Sequence, residues 1–142
     1  MWKNRCRLYH TRNKYKKKKF LDYADDEFQT VINLNLKGNF MAMREIAKSM
    51  IGKNVAGSIV VLSSIRSIVV EPGQSAYAAT KAGLVQLVRG LCSEVGKNNI
   101  RVNAIAPGVV DTPLTQQIKR IRTGTGRTVR EAHLTDGHPL MK

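Results

Sequence analysis

Tyr77 and Lys81 stand four residues apart, and Ser64 precedes the tyrosine by thirteen. On a helix, positions four apart share one face, so an ammonium there lies beside a phenol and favours its ionised form. A tyrosine placed in this way suits general acid catalysis near neutral pH. Ser64 follows the apolar run Gly57-Ser58-Ile59-Val60-Val61-Leu62, and from there it can hold a substrate oxygen by a hydrogen bond that strengthens as charge develops. Serine, tyrosine and lysine together fit the reduction of a carbonyl group. A solitary tyrosine and lysine at this spacing are more often a packed ring and a solvated amine, so the surrounding elements decide whether the pair is a site.

Those elements are legible. The run 57–62 reads as a strand buried on both faces, the pattern of a parallel sheet. Residues 75–95 read as a helix, with Leu84, Leu87, Val88, Leu91 and Val95 at three- and four-residue spacing and Gly96 placed to end it. Residues 100–106 read as a second strand, stopped by Pro107-Gly108. Strand, helix, strand is a right-handed crossover unit, and ligands sit at the carboxyl ends of its strands, where Ser64 and Pro107 both lie. An earlier helix over residues 26–51 is apolar on more than one side, and Gly38 within it is expected to permit close packing or a bend.

The segment from Ser63 to Lys81 resembles the active site of the short-chain dehydrogenase/reductase family, whose signature is Tyr-x-x-x-Lys preceded by a serine. Val31-Ile32-Asn33-Leu34-Asn35-Leu36-Lys37-Gly38 resembles the family's Asn-x-x-Gly segment. Pro107-Gly108-Val109-Val110-Asp111-Thr112 resembles the loop that cradles the nicotinamide end of the cofactor. The resemblance spans about residues 21–118. It implies an α/β fold, a partial doubly wound, Rossmann-like parallel sheet, and hydride transfer between NAD or NADP and an alcohol or carbonyl. By the resemblance, Tyr77 gives the proton, Lys81 assists it and bonds the nicotinamide ribose, Ser64 steadies the substrate oxygen, and Asn35 holds a water for proton relay. Tyr77, Lys81, Pro107, Gly108, Val110 and Thr112 are then the cofactor-binding positions. The family also pairs the helices near 26–51 and 75–95 with their copies in a partner subunit, which implies self-association. Arg66 and Glu71-Pro72-Gly73-Gln74 fall where family members contact substrate. By general look, the relatives are 3-oxoacyl-carrier-protein reductases and sugar or polyol dehydrogenases.

The chain departs from that pattern in two respects. The N-terminal βαβ unit with its glycine-rich Thr-Gly-x-x-x-Gly-x-Gly turn, which receives the pyrophosphate, does not occur in the sequence. Thr123-Gly124-Thr125-Gly126 lacks a preceding strand and reads as a turn. The net charge of +14 is also uneven: residues 1–20 carry nine Lys or Arg and no acid, and residues 119–142 carry six against two acids. These flanks read as a disordered basic segment (1–20) and an irregular basic tail (119–142) around a partial domain (21–118). The expectation is a truncated enzyme whose activity is open. Two competing readings are a non-catalytic fragment that associates through its helices, and a basic nucleic-acid-binding protein. The last finds little support, since no zinc-finger spacing or aromatic platform accompanies the charge.

Two cysteines, Cys6 and Cys92, form no disulfide framework and suit a reducing compartment. His10, His133 and His138 are too scattered for a metal site. No apolar run approaches the roughly 20 residues that span a bilayer, and no secretory signal is evident, so cytosol is the expected location.

Overall fold

In a parallel sheet every strand needs backbone partners on both sides unless it is an edge, and the central strand here finds both. The computed structural model describes residues 6–9 and 17–108, the first four as backbone alone. Three parallel strands form one sheet in the order β1 (Cys6–Tyr9), β2 (Gly57–Leu62), β3 (Ile100–Ile105). Cys6 to Tyr9 run beside Ser58 to Val61, and Gly57 to Leu62 beside Ile100 to Ile105. The α-helices are α1 (Asp25–Ile32), α2 (Gly38–Gly52) and α3 (Ser75–Val95). A π-helical stretch, Asn33–Lys37, joins α1 to α2 without a break.

The crossover expected from the sequence is present: α3 has the expected bounds, and the strand expected at 100–106 ends one residue sooner. The N-terminal flank is different. Disorder over residues 1–20 is corrected at Cys6–Tyr9, which pairs with β2. It is corrected again at Lys17 and Lys18, which bond to Glu71 and Glu27, while the Lys18 N–H donates to the Gly73 carbonyl at 3.1 Å. Sheet pairing uses backbone groups, which every residue but proline carries in full, so side-chain composition gave no warning of it. The tail 119–142 and its turn at 123–126 lie outside the described residues.

Ile59 and Val61 of β2 face Ile100 and Val102 of β3 on one side of the sheet, where Leu84, Val88 and Val95 of α3 and Met43 and Ala47 of α2 cover them. Val60 and Leu62, on the other side, are only half-buried. The strand expected to be buried on both faces is therefore covered fully on one. Asp25, Asp26 and Glu27 open α1 and complement its positive end. The Glu27 carboxylate accepts the Ala24 N–H at 3.1 Å.

Close packing falls at a different glycine from the one expected. A Cβ at Gly38 would meet the Asn33 carbonyl at 3.4 Å, an ordinary contact, whereas a Cβ at Gly83 would lie 3.0 Å from Leu36 Cδ1. Gly83 thus lets α3 approach the π-helical stretch. Gly90, on the same helix, has open space around it. Gly83→Val is expected to cost about 1–3 kcal/mol through overpacking, and Gly90→Ala to gain about 0.5–1 kcal/mol through helix propensity. Urea unfolding of the two variants should move the midpoint in opposite directions.

Candidate functional site

β2 and β3 end side by side, and their ends stay joined beyond the ladder. The Ser63 N–H donates to the Ile105 carbonyl at 2.7 Å, and the Ile65 N–H to the Pro107 carbonyl at 2.9 Å. Ser64 and Pro107 are therefore neighbours at the carboxyl edge of the sheet. Ser64 is extended, and its Oγ accepts the Arg66 N–H at 3.2 Å, capping a 3-10 turn over Ile65–Ser67. A hydroxyl that accepts from the backbone still has its own O–H to donate. Such a donor is what a developing oxyanion needs.

α3 sets Tyr77 and Lys81 one turn apart. The Lys81 ammonium lies 5.6 Å from the centre of the Tyr77 ring, a cation–π distance. Lys81 is 4% exposed, and its Nζ donates to the Leu62 carbonyl at 2.8 Å. Ser63 Oγ donates in turn to the Lys81 carbonyl at 2.9 Å. Two opposed hydrogen bonds thus tie α3 to the end of β2. Burial penalises the charged amine and pulls its pKa below the ordinary 10.5. Ser63, 5% exposed, had no role in the sequence reading; a serine ending an apolar strand just before Ser64 was the one available signal.

Asn35 lies inside the π-helical stretch and is 1% exposed. Neither Nδ2 nor Oδ1 of its side chain has a hydrogen-bond partner among the described residues. Its carbonyl accepts from Asn39 Nδ2 at 2.7 Å. π-Helical turns recur at functional sites, and a buried amide with unmet polar atoms is the chemistry of a water or ligand position. Leu36, its neighbour, seats the stretch against Gly83 of α3.

Ser64 and Pro107 thus lie at the carboxyl edge of the sheet, and Lys81, with Tyr77 one turn before it, is tied to the end of the same strand β2. Gly108 is exposed beside Pro107, whereas Val110 and Thr112 lie outside the described residues. The residues expected to read substrate polarity are engaged with one another instead. Glu71 accepts from Arg66 Nη2, from Gln74 Nε2 at 3.0 Å and from Lys17 Nζ at 3.0 Å. Partial burial alone would raise the Glu71 pKa, but the Lys17 hydrogen bond and the charges of Arg66 and Lys17 outweigh it and hold the group below 4.5. Among the described residues, no cluster of three or more His, Cys, Asp or Glu is placed to hold a metal, and no helix is long and apolar enough to cross a membrane.

The family described as enoyl-(acyl carrier protein) reductase matches residues 10–138. Human (3R)-3-hydroxyacyl-CoA dehydrogenase is 38% identical over 98 residues, which cover 69% of this chain and 38% of that protein. The 3-oxoacyl-acyl-carrier-protein reductase FabG of Thermotoga maritima is 43% identical over 94 residues, 66% of this chain and 38% of its own. The chain thus spans well under half the length of these relatives. Among solved structures, 4-hydroxyisoleucine dehydrogenase complexed with NADH superposes with a TM-score of 0.72 at 36% identity, covering 78% of this chain and 45% of that one. Acetoin dehydrogenase from Enterobacter cloacae does so with a TM-score of 0.73 at 28% identity, covering 80% and 45%.

The buried lysine makes stability depend on pH in a fixed direction. Between its lowered folded pKa and its unfolded value, the unfolded chain binds more protons, so stability rises with pH across that window. The stability of the natural chain relative to Lys81→Met should therefore climb as the pH rises from the lowered folded value toward the ordinary 10.5, by at most about 1.4 kcal/mol per pH unit for one proton. Chemical unfolding of both proteins across that range is the measurement, and a flat difference would contradict the burial.

Proposed function

This chain belongs to the short-chain dehydrogenase/reductase family, and on that premise we propose that it carries the proton-transfer half of an NAD- or NADP-dependent alcohol and carbonyl interconversion. One observation carries the reading. Lys81 is pinned between β2 and the Tyr77 ring, with Ser64 at the end of the same strand.

In the reducing direction, the Tyr77 phenol delivers its proton to the substrate oxygen. The Ser64 O–H donates to the same oxygen as negative charge gathers there, a contact stronger in the transition state than in the ground state. The Lys81 ammonium has three donors and uses one on Leu62. Asn35, with its unmet buried amide, supports a water that returns a proton to the site.

The residues present fit the nicotinamide–ribose end of a dinucleotide: Tyr77 and Lys81 for the ribose, and Pro107 and Gly108, followed by Val110 and Thr112, for the ring. When bound, the nicotinamide supplies or accepts the hydride. The glycine-rich turn that receives a pyrophosphate is not among these residues. Substrates of the 3-oxoacyl type agree with the reductase and hydroxyacyl-CoA dehydrogenase above, those of the sugar and polyol type are the alternative, and a cytosolic setting agrees with the free, exposed Cys92.

A second reading stands beside this one. Phe40, Met41 and Ile51 of α2 are each more than two-fifths exposed, and Phe40 and Ile51 line a groove with Leu87 and Leu91 of α3. This groove suits self-association with a second copy, and Phe40→Glu should then shift the chain toward monomer in light scattering.

The catalytic reading is tested by thermal unfolding and turnover together. Saturation at 100 times the dissociation constant should add about 2.7 kcal/mol of stability for NADH or NADPH. Tyr77→Phe should keep that stabilisation and lower turnover by at least about a hundredfold, the scale of a lost general acid. No stabilisation by either cofactor would leave the association reading in its place.

A further inference from the structure

Glu71 lies in the loop that joins Ser64 to α3, and its carboxylate gathers donors from both ends of that loop. Arg66 Nη2 and Gln74 Nε2 both donate to it. The backbone N–H of the same Arg66 donates to Ser64 Oγ at 3.2 Å. At the other end, the Gln74 carbonyl accepts the Ala78 N–H at 2.8 Å, in the first turn of α3, where Tyr77 stands. Glu71 therefore ties the end of the loop that carries Ser64 to the end that leads into Tyr77. Its third donor comes from outside the loop: Lys17 Nζ at 3.0 Å, from the basic flank that reads as solvated charge in the sequence.

Backbone contacts seat the segment that carries Lys17. The Lys18 N–H donates to the Gly73 carbonyl at 3.1 Å. Gly73 has φ +77°, a conformation that suits glycine, and a Cβ there would touch Lys17 Cβ and the Lys18 backbone at 3.4 Å. Lys18 Nζ binds Glu27 at the start of α1. With its backbone placed in this way, Lys17 loses less freedom on reaching Glu71 than a lysine on an unseated chain would. From these contacts we propose that Lys17 is a positioning residue for the site: through Glu71 and Arg66 it holds the Ser64 hydroxyl in place. The proposal rests on the oxidoreductase reading above and adds to it a residue from the basic flank. Without Lys17, Glu71 keeps Arg66 and Gln74 but loses the outside anchor on its carboxylate, and the turn at Ser64 loosens.

The test is hydrogen exchange at the Arg66 amide, followed by nuclear magnetic resonance on the full 142-residue chain. It reads the bond to Ser64 Oγ without turnover. Lys17→Met should speed exchange at this amide about two- to fivefold, the scale of one ordered surface ion pair. Loss of a nearby cation by itself slows hydroxide-catalysed exchange, so acceleration reports opening of the turn. Lys17→Arg should restore the natural rate, since a guanidinium serves the same carboxylate. Lys53→Met, which removes an equal charge at the end of α2, should leave it unchanged. In a Glu71→Gln background, Lys17→Met should add nothing, because the two act through one carboxylate. The Lys17 side chain is 58% exposed, so its variants should fold, and a matching far-ultraviolet circular dichroism spectrum checks this. With acetoacetyl-CoA as the 3-oxoacyl probe and NADH or NADPH, Lys17→Met should lower kcat by the same two- to fivefold with KM unchanged, because the Ser64 bond strengthens as charge develops in the transition state.

An unchanged Arg66 rate in Lys17→Met, an equal acceleration in the Glu71→Gln background, or failure of Lys17→Arg to restore the rate would each overturn the proposal. So would an equal acceleration at every amide, which reports lost global stability, or a raised KM with kcat unchanged. The expected Arg66 rates without Tyr77-dependent turnover by either cofactor keep Lys17 as the anchor of the Ser64 turn and remove the catalytic reading. Tyr77-dependent turnover that Lys17→Met leaves unchanged does the reverse.

Discussion

The site depends on the paired hydrogen bonds between α3 and the end of β2: Lys81 Nζ to the Leu62 carbonyl, and Ser63 Oγ to the Lys81 carbonyl. Each end of the lysine is held by the strand that also delivers Ser64. A helix advances 1.5 Å and turns about 100° per residue, so a slip of one residue along α3 would break both bonds. The buried core of Ile59, Val61, Leu84 and Val88 supplies attraction without choosing that register. The polar tie makes the choice, because a buried amine without its acceptor is expensive.

The π-helical stretch sets a second constraint. It seats Leu36 against Gly83, two residues after Lys81, and leaves the Asn35 side-chain amide buried with neither polar atom bonded among the described residues. An unbroken α-helix of ordinary register would place these side chains on other faces. Such a stretch costs stability locally and persists where surrounding packing over-determines it. The price of an unmet buried amide is comprehensible if the position has work to do in the proton relay proposed for it.

Glu71 shows how charge is redistributed on folding. In the linear sequence, residues 1–20 carry an unbalanced positive charge and residues 65–74 a mixed, polar one. Folding brings Lys17 and Arg66 onto one carboxylate and Lys18 onto Glu27. The basic run is thereby partly satisfied within the protein, and the loop that follows Ser64 keeps Ile68 and Val70 exposed. Surface ion pairs add little to stability one at a time; here their effect is to orient a loop.

Local pattern determined much. Apolar runs and a three-and-four spacing placed β2, α3 and β3 to within a residue, since burial of one face dictates periodicity before any partner is known. The placement of three of the proposed site residues was legible as well, because Tyr77 and Lys81 share a helical face and Ser64 follows the end of a strand, both consequences of local geometry. Other features needed the tertiary structure. Cys6–Tyr9 joined the sheet through backbone groups that carry no sequence signature, and Gly83 rather than Gly38 emerged as the close contact because its neighbour, Leu36, is 47 positions away in the chain. Ser63 acquired its role, and Glu71 its three donors, only when distant segments met. A hydrogen bond between residues far apart in sequence leaves no periodic trace, so spacing alone could propose candidate site residues but not what holds them in place.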